Sequence, residues 1–149
     1  MAITKGTIKA ISISRQRGIQ KTNVPEAELK AEFGIVGDVH AGDWHRQVSL
    51  LAIESIDKMV KIGAKVSPGN FAENITTEGI DLLKLPMGTR LKIGTDTELE
   101  ITQIGKVCHN RCAIFDKVGD CVMPREGIFA KVINSGTIKV GNGIEVLND

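Results

Sequence analysis

The sequence predicts a mainly β protein, a small barrel or compact sandwich carrying a few helices. Short β-favouring runs recur along the whole chain, and glycine-containing turns separate them at close spacing. Sixteen glycines occur in 149 residues, while helix-period patterns are scarce. The length prior gives one domain over residues 1–149, large enough to build a proper core.

Taken in order, Thr7–Ser14 (T-I-K-A-I-S-I-S) nearly alternates apolar and polar residues and reads as a strand. Gln16–Val24 continues it as a hairpin candidate. Glu26–Phe33, with Pro25 near its start, reads as a helical turn that Gly34-Ile35-Val36-Gly37-Asp38 breaks. Val48–Ala52 (V-S-L-L-A) has the continuous apolar character of a buried strand. The one convincing helix is Ile53–Ile62. Ile53, Ile56, Met59 and Val60 recur at helical spacing, and Gly63 suits the cap. Ser67-Pro68-Gly69-Asn70 is turn chemistry. Further strands are expected at Glu73–Thr76, Arg90–Ile93, Leu99–Ile104, Gly127–Ile133, Thr137–Val140 and Ile144–Leu147, with turns at Pro86–Gly88, Gly94–Asp96, Asn134–Gly136 and Gly141–Gly143.

Composition narrows the function classes. With 19 basic and 18 acidic residues the formal net charge is +1, which offers no electrostatic footprint for nucleic acid or an anionic membrane. Four Phe, one Trp and no Tyr leave little for base stacking. No apolar run approaches the ~20 residues that span a bilayer. The N-terminal MAITKGTIKAISIS lacks the apolar core of a signal peptide, so the cytoplasm is the expected compartment. There, three clustered cysteines point to free thiols or metal ligation before a disulfide.

All three cysteines fall in Cys108–Cys121 (C-H-N-R-C-A-I-F-D-K-V-G-D-C), together with His109. A thiolate is both a nucleophile and a soft metal ligand, and Arg111 directly before Cys112 favours the thiolate. One reading is a reactive or cofactor-binding cysteine on a loop after Leu99–Ile104. A second is zinc held by Cys108, His109, Cys112 and Cys121, although only Cys108 and Cys112 have knuckle-like spacing. A third is small buried hydrophobes, which suits Cys121 before Val122 and Met123. The residues alone leave these three open.

Two further stretches carry candidate chemistry. Gly37–Arg46 (G-D-V-H-A-G-D-W-H-R) sets His40 and His45 beside two aspartates, Arg46 and the only tryptophan, on what must be a loop. Such histidines serve as metal ligands, proton carriers or anion partners, or simply fix the loop by hydrogen bonds. Pro68–Gly79 offers Asn70, Asn74 and Thr76, whose amides and hydroxyl can meet a phosphate or a heterocycle edge; an ordered turn is the plainer alternative. Arg125, in Pro124–Gly127, adds a cation soon after the cysteines.

The order of these motifs resembles a known family. G-D-V-H-A-G leads to V-S-L-L-A, then to P-G-N-F-A-E-N-I-T-T-E-G-I-D-L-L-K-L-P-M-G-T-R-L-K-I-G, E-I-T-Q-I-G-K-V-C-H-N-R-C and G-I-F-A-K-V-I-N-S-G-T-I-K-V-G-N. The chain is similar, from about Thr7 to Leu147, to the MOSC domain, named for the C-terminal domain of molybdenum cofactor sulfurases and found also as small stand-alone bacterial proteins. The resemblance implies a closed β-barrel of the pyruvate-kinase β-barrel-like type. It implies binding of the molybdenum cofactor (molybdopterin), for carriage, transfer or sulfuration, through a cysteine after the strand at Leu99–Ile104.

Two cysteines compete for that role. Cys112 has the Arg-Cys context of molybdenum-binding relatives and is preferred, as the molybdenum ligand through the cofactor. Cys108 has the strand distance of many small members, and the pair could share the work, one carrying a persulfide and the other resolving it. Cofactor contacts are expected from His40, His45, Arg46, Asn70, Asn74, Thr76, Arg111 and Arg125. No pyridoxal phosphate is expected, because the aminotransferase-like domain of the full sulfurases has no counterpart here. Molybdoenzymes or cofactor-biosynthesis proteins are the expected partners, with neither nucleic acid nor membrane. The alternatives are a molybdenum-dependent reductase component acting on N-hydroxylated compounds, with electrons from separate proteins, and a non-catalytic structural zinc protein.

Overall fold

Alternating burial along most strands shows one face turned to a common core. The computed structural model describes residues 4–16, 19–105 and 126–147. Its strands are β1 (Lys5–Ile13), β2 (Thr22–Val24), β3 (Glu26–Lys30), β4 (Gly34–Ile35), β5 (Val48–Ala52), β6 (Ile75–Glu78), β7 (Arg90–Ile93), β8 (Thr97–Ile104), β9 (Ile128–Asn134), β10 (Gly136–Lys139) and β11 (Gly143–Leu147). One helix, α1 (Ile53–Lys61), and a 3-10 turn at Leu82–Lys84 complete the described elements.

Seven strands close on themselves in the order β1-β11-β7-β8-β9-β5-β6 and back to β1, with β2 appended to β1. Residues of period 2 fill the interior: Leu91 and Ile93 of β7, Leu99 and Ile101 of β8, Ile128, Ala130 and Val132 of β9, Val48 and Leu50 of β5. The three-stranded sheet β10-β3-β4 adds Leu29, Ile35 and Ile138 to the same core. The fold is therefore mainly β around a closed seven-stranded barrel.

The pairing of β5 with β6 is parallel, which demands a crossover, and α1 provides it. Ile56 and Met59 of α1 pack with Leu51, Phe71 and Phe129 on the outer face of β5 and β9, giving a second, smaller core. Gly63 has φ +102°, and Gly63 N–H and Ala64 N–H return to the carbonyls of Val60 and Met59. Val60, expected on the apolar face, is half exposed, because the buried stripe is centred on Ser55, Ile56 and Met59.

The expected helical turn at Glu26–Phe33 is corrected to strand β3. Glu26–Leu29 pair in antiparallel register with Lys139–Gly136, and Leu29 is buried while its neighbours are exposed. The helix-favouring run E-A-E-L-K-A-E yields to a tertiary pairing it cannot anticipate. Among the described residues no helix is long and apolar enough to cross a membrane.

Candidate functional site

Residues 36–47 join β4 to β5 as a strap with no regular structure. One part is tied to the end of β1. Val39 N–H donates to the Ser14 carbonyl at 2.7 Å, and Ser14 N–H donates to Asp38 Oδ1 at 3.0 Å. The other part is tied to the end of β8, where the Thr102 hydroxyl donates to the His45 carbonyl and Gln103 Oε1 lies 2.9 Å from His45 Nε2. The strap thus holds His40 beside one strand end and His45 beside another.

Asp38 is the anchor. Its Oδ1 accepts from Lys21 Nζ at 2.7 Å, and both side chains are buried, at 1% and 0% exposure. Oδ2 accepts the backbone N–H of His40 at 3.1 Å. Burial alone would raise the Asp38 carboxyl. The His40 ring beside Oδ2, hydrogen bonding by Lys21 and the Ser14 N–H, and the charge of Lys21 together outweigh it and hold the group well below the usual carboxylate range. Lys21 Nζ also lies 2.9 Å from His40 Nδ1, and the His40 ring is 39% exposed. A buried cation and anion therefore brace an imidazole that reaches solvent.

Trp44 and Arg46 lie on the same strap. Trp44 Nε1–H donates to the His40 carbonyl at 2.7 Å, and its ring meets His45 edge-on at 5.9 Å between centroids. The Arg46 guanidinium carbon stands 4.7 Å from the Trp44 ring centre and 5.6 Å from that of Phe129. Such stacking holds a weakly hydrated cation without neutralising it. Arg46 Nε is buried and has no hydrogen-bond partner, and no ion pair of Arg46 occurs among the described residues. Its guanidinium is held in place by the two rings with its charge uncompensated among the described residues.

The expected contacts from 70–76 occupy the frame. Asn70 Oδ1 accepts the Ser67 N–H at 2.9 Å and closes a turn. Asn74 is fully buried; its Oδ1 accepts from Ser49 N–H and Oγ, and its Nδ2 donates to the Ser12 carbonyl at 3.1 Å, so the amide locks β1 to β5. The Thr76 hydroxyl, also buried, donates to Glu73 Oε2 at 3.2 Å. Glu73 in turn accepts the N–H groups of Gly69 and Phe71. Burial raises its carboxyl above the usual range, against the pull of those donors.

Cys108, Cys112, Cys121, His109, Arg111 and Arg125 lie outside the described residues. Gly105 N–H donates to the Gly127 carbonyl at 2.6 Å, which joins the residues that flank 106–125. Gln103 Nε2 donates to the Gly105 carbonyl at 2.7 Å, so two hydrogen bonds link His45 through Gln103 to Gly105. Glu126, on the other side, accepts from Ser55 Oγ at 2.7 Å and Lys58 Nζ at 2.9 Å, which ties it to α1. Among the described residues no group of three or more His, Cys, Asp or Glu is arranged to hold a metal ion.

Lys21 and Gln103 were not legible as site residues. A lone lysine after a glycine-containing stretch gives no sign of burial, and a glutamine inside a strand gives no sign of a histidine partner. The only available hint was the charge excess of the Gly37–Arg46 stretch, whose aspartates call for cations.

A closed small barrel with an Asp- and His-bearing strap after its first sheet defines a class of compact β-barrel modules. The sequence model of the MOSC domain matches residues 37–145, and the chain belongs to that family. Among solved structures it is similar to the YuaD protein of Bacillus subtilis, with a TM-score of 0.80 and 19% identity over 95% of each chain. It is also similar to YiiM of Geobacillus stearothermophilus (TM-score 0.70, 17% identity, covering 96% of this chain and 75% of that one). YiiM of Escherichia coli gives a TM-score of 0.67 at 17% identity, covering 96% of this chain and 70% of that one. At these identities the likeness is one of fold. No curated protein sequence matches the chain.

Proposed function

We propose that this MOSC protein binds the molybdenum cofactor or its pterin, molybdopterin, and carries or transfers it with the help of a reactive cysteine. The observation that carries the reading is Arg46. A guanidinium stacked on Trp44 and Phe129, with a buried, unpartnered Nε, fits the phosphate of such a ligand. His40 and His45 precede it on the same strap, and Arg111 and Arg125 are the proposed further cations. Asn70, Asn74 and Thr76 serve this reading by holding the turn and the end of β1 in place. When bound, the cofactor supplies molybdenum and dithiolene sulfur. The chain supplies an anion clamp, an aromatic wall and the thiolate of Cys112, with Cys108 as the second thiol.

Cytoplasmic residence and hand-over to molybdoenzymes or cofactor-biosynthesis proteins belong to the same proposal. The test is reconstitution of the full chain with molybdopterin, followed by pterin and molybdenum analysis after gel filtration. Loss of one charge-assisted phosphate contact of about 1.5–3 kcal/mol predicts roughly ten- to hundredfold weaker retention in Arg46→Gln. Cys112→Ser should keep pterin and lose molybdenum. Equal retention in wild type, Arg46→Gln, Cys112→Ser and Cys108→Ser would discard the reading.

A further inference from the structure

We infer that Lys21 and Gln103 are positioning residues that fix both strap histidines as the Nε2–H tautomer with opposite nitrogens free. His40 is left as an N–H donor and His45 as a bare lone pair.

An ammonium group has three donors and no acceptor. Lys21 Nζ is 2.9 Å from His40 Nδ1, so Nδ1 accepts and the ring proton sits on Nε2. Asp38 Oδ2 lies farther from Nδ1 than Lys21 Nζ does, at 3.6 Å, and accepts the His40 backbone N–H at 3.1 Å. Nε2–H is left on a ring that is 39% exposed.

For His45 the committed nitrogen is the other one. A backbone carbonyl only accepts, so the end of the Gln103 amide 2.7 Å from the Gly105 oxygen is its NH2. The amide oxygen therefore faces His45 Nε2 at 2.9 Å, and Nε2 must carry the proton. Nδ1 of His45 keeps its lone pair with no partner among the described residues, on an exposed side chain.

The two imidazoles are thus not interchangeable. His40 is matched to an anionic oxygen, and it donates without having to be protonated. His45 is matched to a ligand N–H or O–H, or serves as the group that takes a proton. The ligand class is a small molecule with both an oxyanion and an exchangeable proton. That this ligand is a phosphorylated pterin rests on the function proposed above; the tautomers do not.

Long-range proton–nitrogen correlation spectra of the full 15N-labelled chain at neutral pH test the inference, with inorganic phosphate as the probe. Both rings should show a pyrrole-type Nε2 and a pyridine-type Nδ1, and phosphate should move His40 Nε2 saturably while leaving His45 Nδ1 in place. Gln103→Leu should release His45 into mixed tautomers without touching His40, and Gln103→Glu, which still accepts, should restore it. Lys21→Met paired with Asp38→Asn should do the same to His40 alone and abolish its phosphate response. An imidazolium or an Nδ1–H ring in the wild type, no saturable response of His40, or a response confined to His45 would overturn the inference. Should tautomers and phosphate response hold while molybdopterin is not retained, the assignment stands and the cofactor reading falls.

Discussion

The Lys21–Asp38 pair places two charges out of reach of water, and its energetics are those of a pair rather than of either residue. Removing one partner of such a buried pair typically costs about 3–5 kcal/mol, because the survivor is left charged and unpaired. Lys21→Met should therefore destabilise strongly, whereas Lys21→Met with Asp38→Asn should recover part of the loss in urea unfolding. The same pair sets an acid limb. The folded Asp38 carboxyl is held below its unfolded value of about 3.9, so its contribution is present above that pH and is lost as pH falls below it. The double variant should show a flatter decline of stability below about pH 4. An equally steep decline in both proteins would mean that Asp38 is not the titrating group. Glu73 acts with the opposite sign: its raised carboxyl makes the folded state less favourable as pH climbs past the unfolded value of about 4.3. Asp38 and His40 were visible in the sequence as polar residues crowded between glycines. Lys21 was invisible, since nothing local marks a lysine that a loop seventeen residues later will bury.

Elements were read best where one face alone decides them. The apolar run of β5, the helical spacing in α1 and the alternation in β7 are each dictated by burial, and all three lie where the sequence puts them. β3 was misread because Glu, Ala, Leu and Lys favour a helix, while most of the strand is held by its pairing with β10, more than a hundred residues away, and its end by β4. The turn at residues 67–74 shows how much a loop can depend on one backbone position. Gly69 has φ +98°, and its N–H donates to Glu73 Oε2. A Cβ there would stand 2.9 Å from Ser12 Oγ and 3.1 Å from the Lys21 carbonyl. Gly88 has a similar φ, +88°, with nothing within 4 Å. Gly88→Ala should cost only the left-handed penalty of about 1–2 kcal/mol. Gly69→Ala should cost that plus about 1–3 kcal/mol of overpacking. Equal costs in denaturant unfolding would show that the turn yields freely and does not press on Ser12 and Lys21.

At the scale of the molecule, closure of the barrel is the feature that the strand pattern alone could not supply. Short alternating strands suit a sandwich as well as a barrel. What decides is a seam of three register pairs, Lys5↔Glu145, Gly6↔Ile144 and Thr7↔Gly143, that joins the first strand to the last. Gly6, on this seam, is also closely approached from the other side of β1, by the end of β6 and the residues after it. A Cβ there would lie 2.5 Å from the Glu78 carbonyl, 2.8 Å from Ile80 Cβ and 2.9 Å from Ile80 N, all parts of the chain with little freedom to retreat. Gly143, on the same seam, has nothing within 4 Å of its Cβ position. This packing predicts an asymmetry between two chemically identical substitutions. Gly6→Ala should lower unfolding stability by about 1–3 kcal/mol, as overpacking of a filled site does. Gly143→Ala should be within about 0.5 kcal/mol of wild type, as an uncrowded surface change is. If closure also holds the strap in register, by fixing β1 and β8 in one cylinder, Gly6→Ala should speed amide exchange at Ser14 and Val39, whose bonds tie the strap to β1. Equal stability of the two variants would mean that Glu78 and Ile80 stand away from Gly6 in solution, and unchanged exchange at Ser14 and Val39 would mean that the strap is held by the Lys21–Asp38 pair without help from this packing.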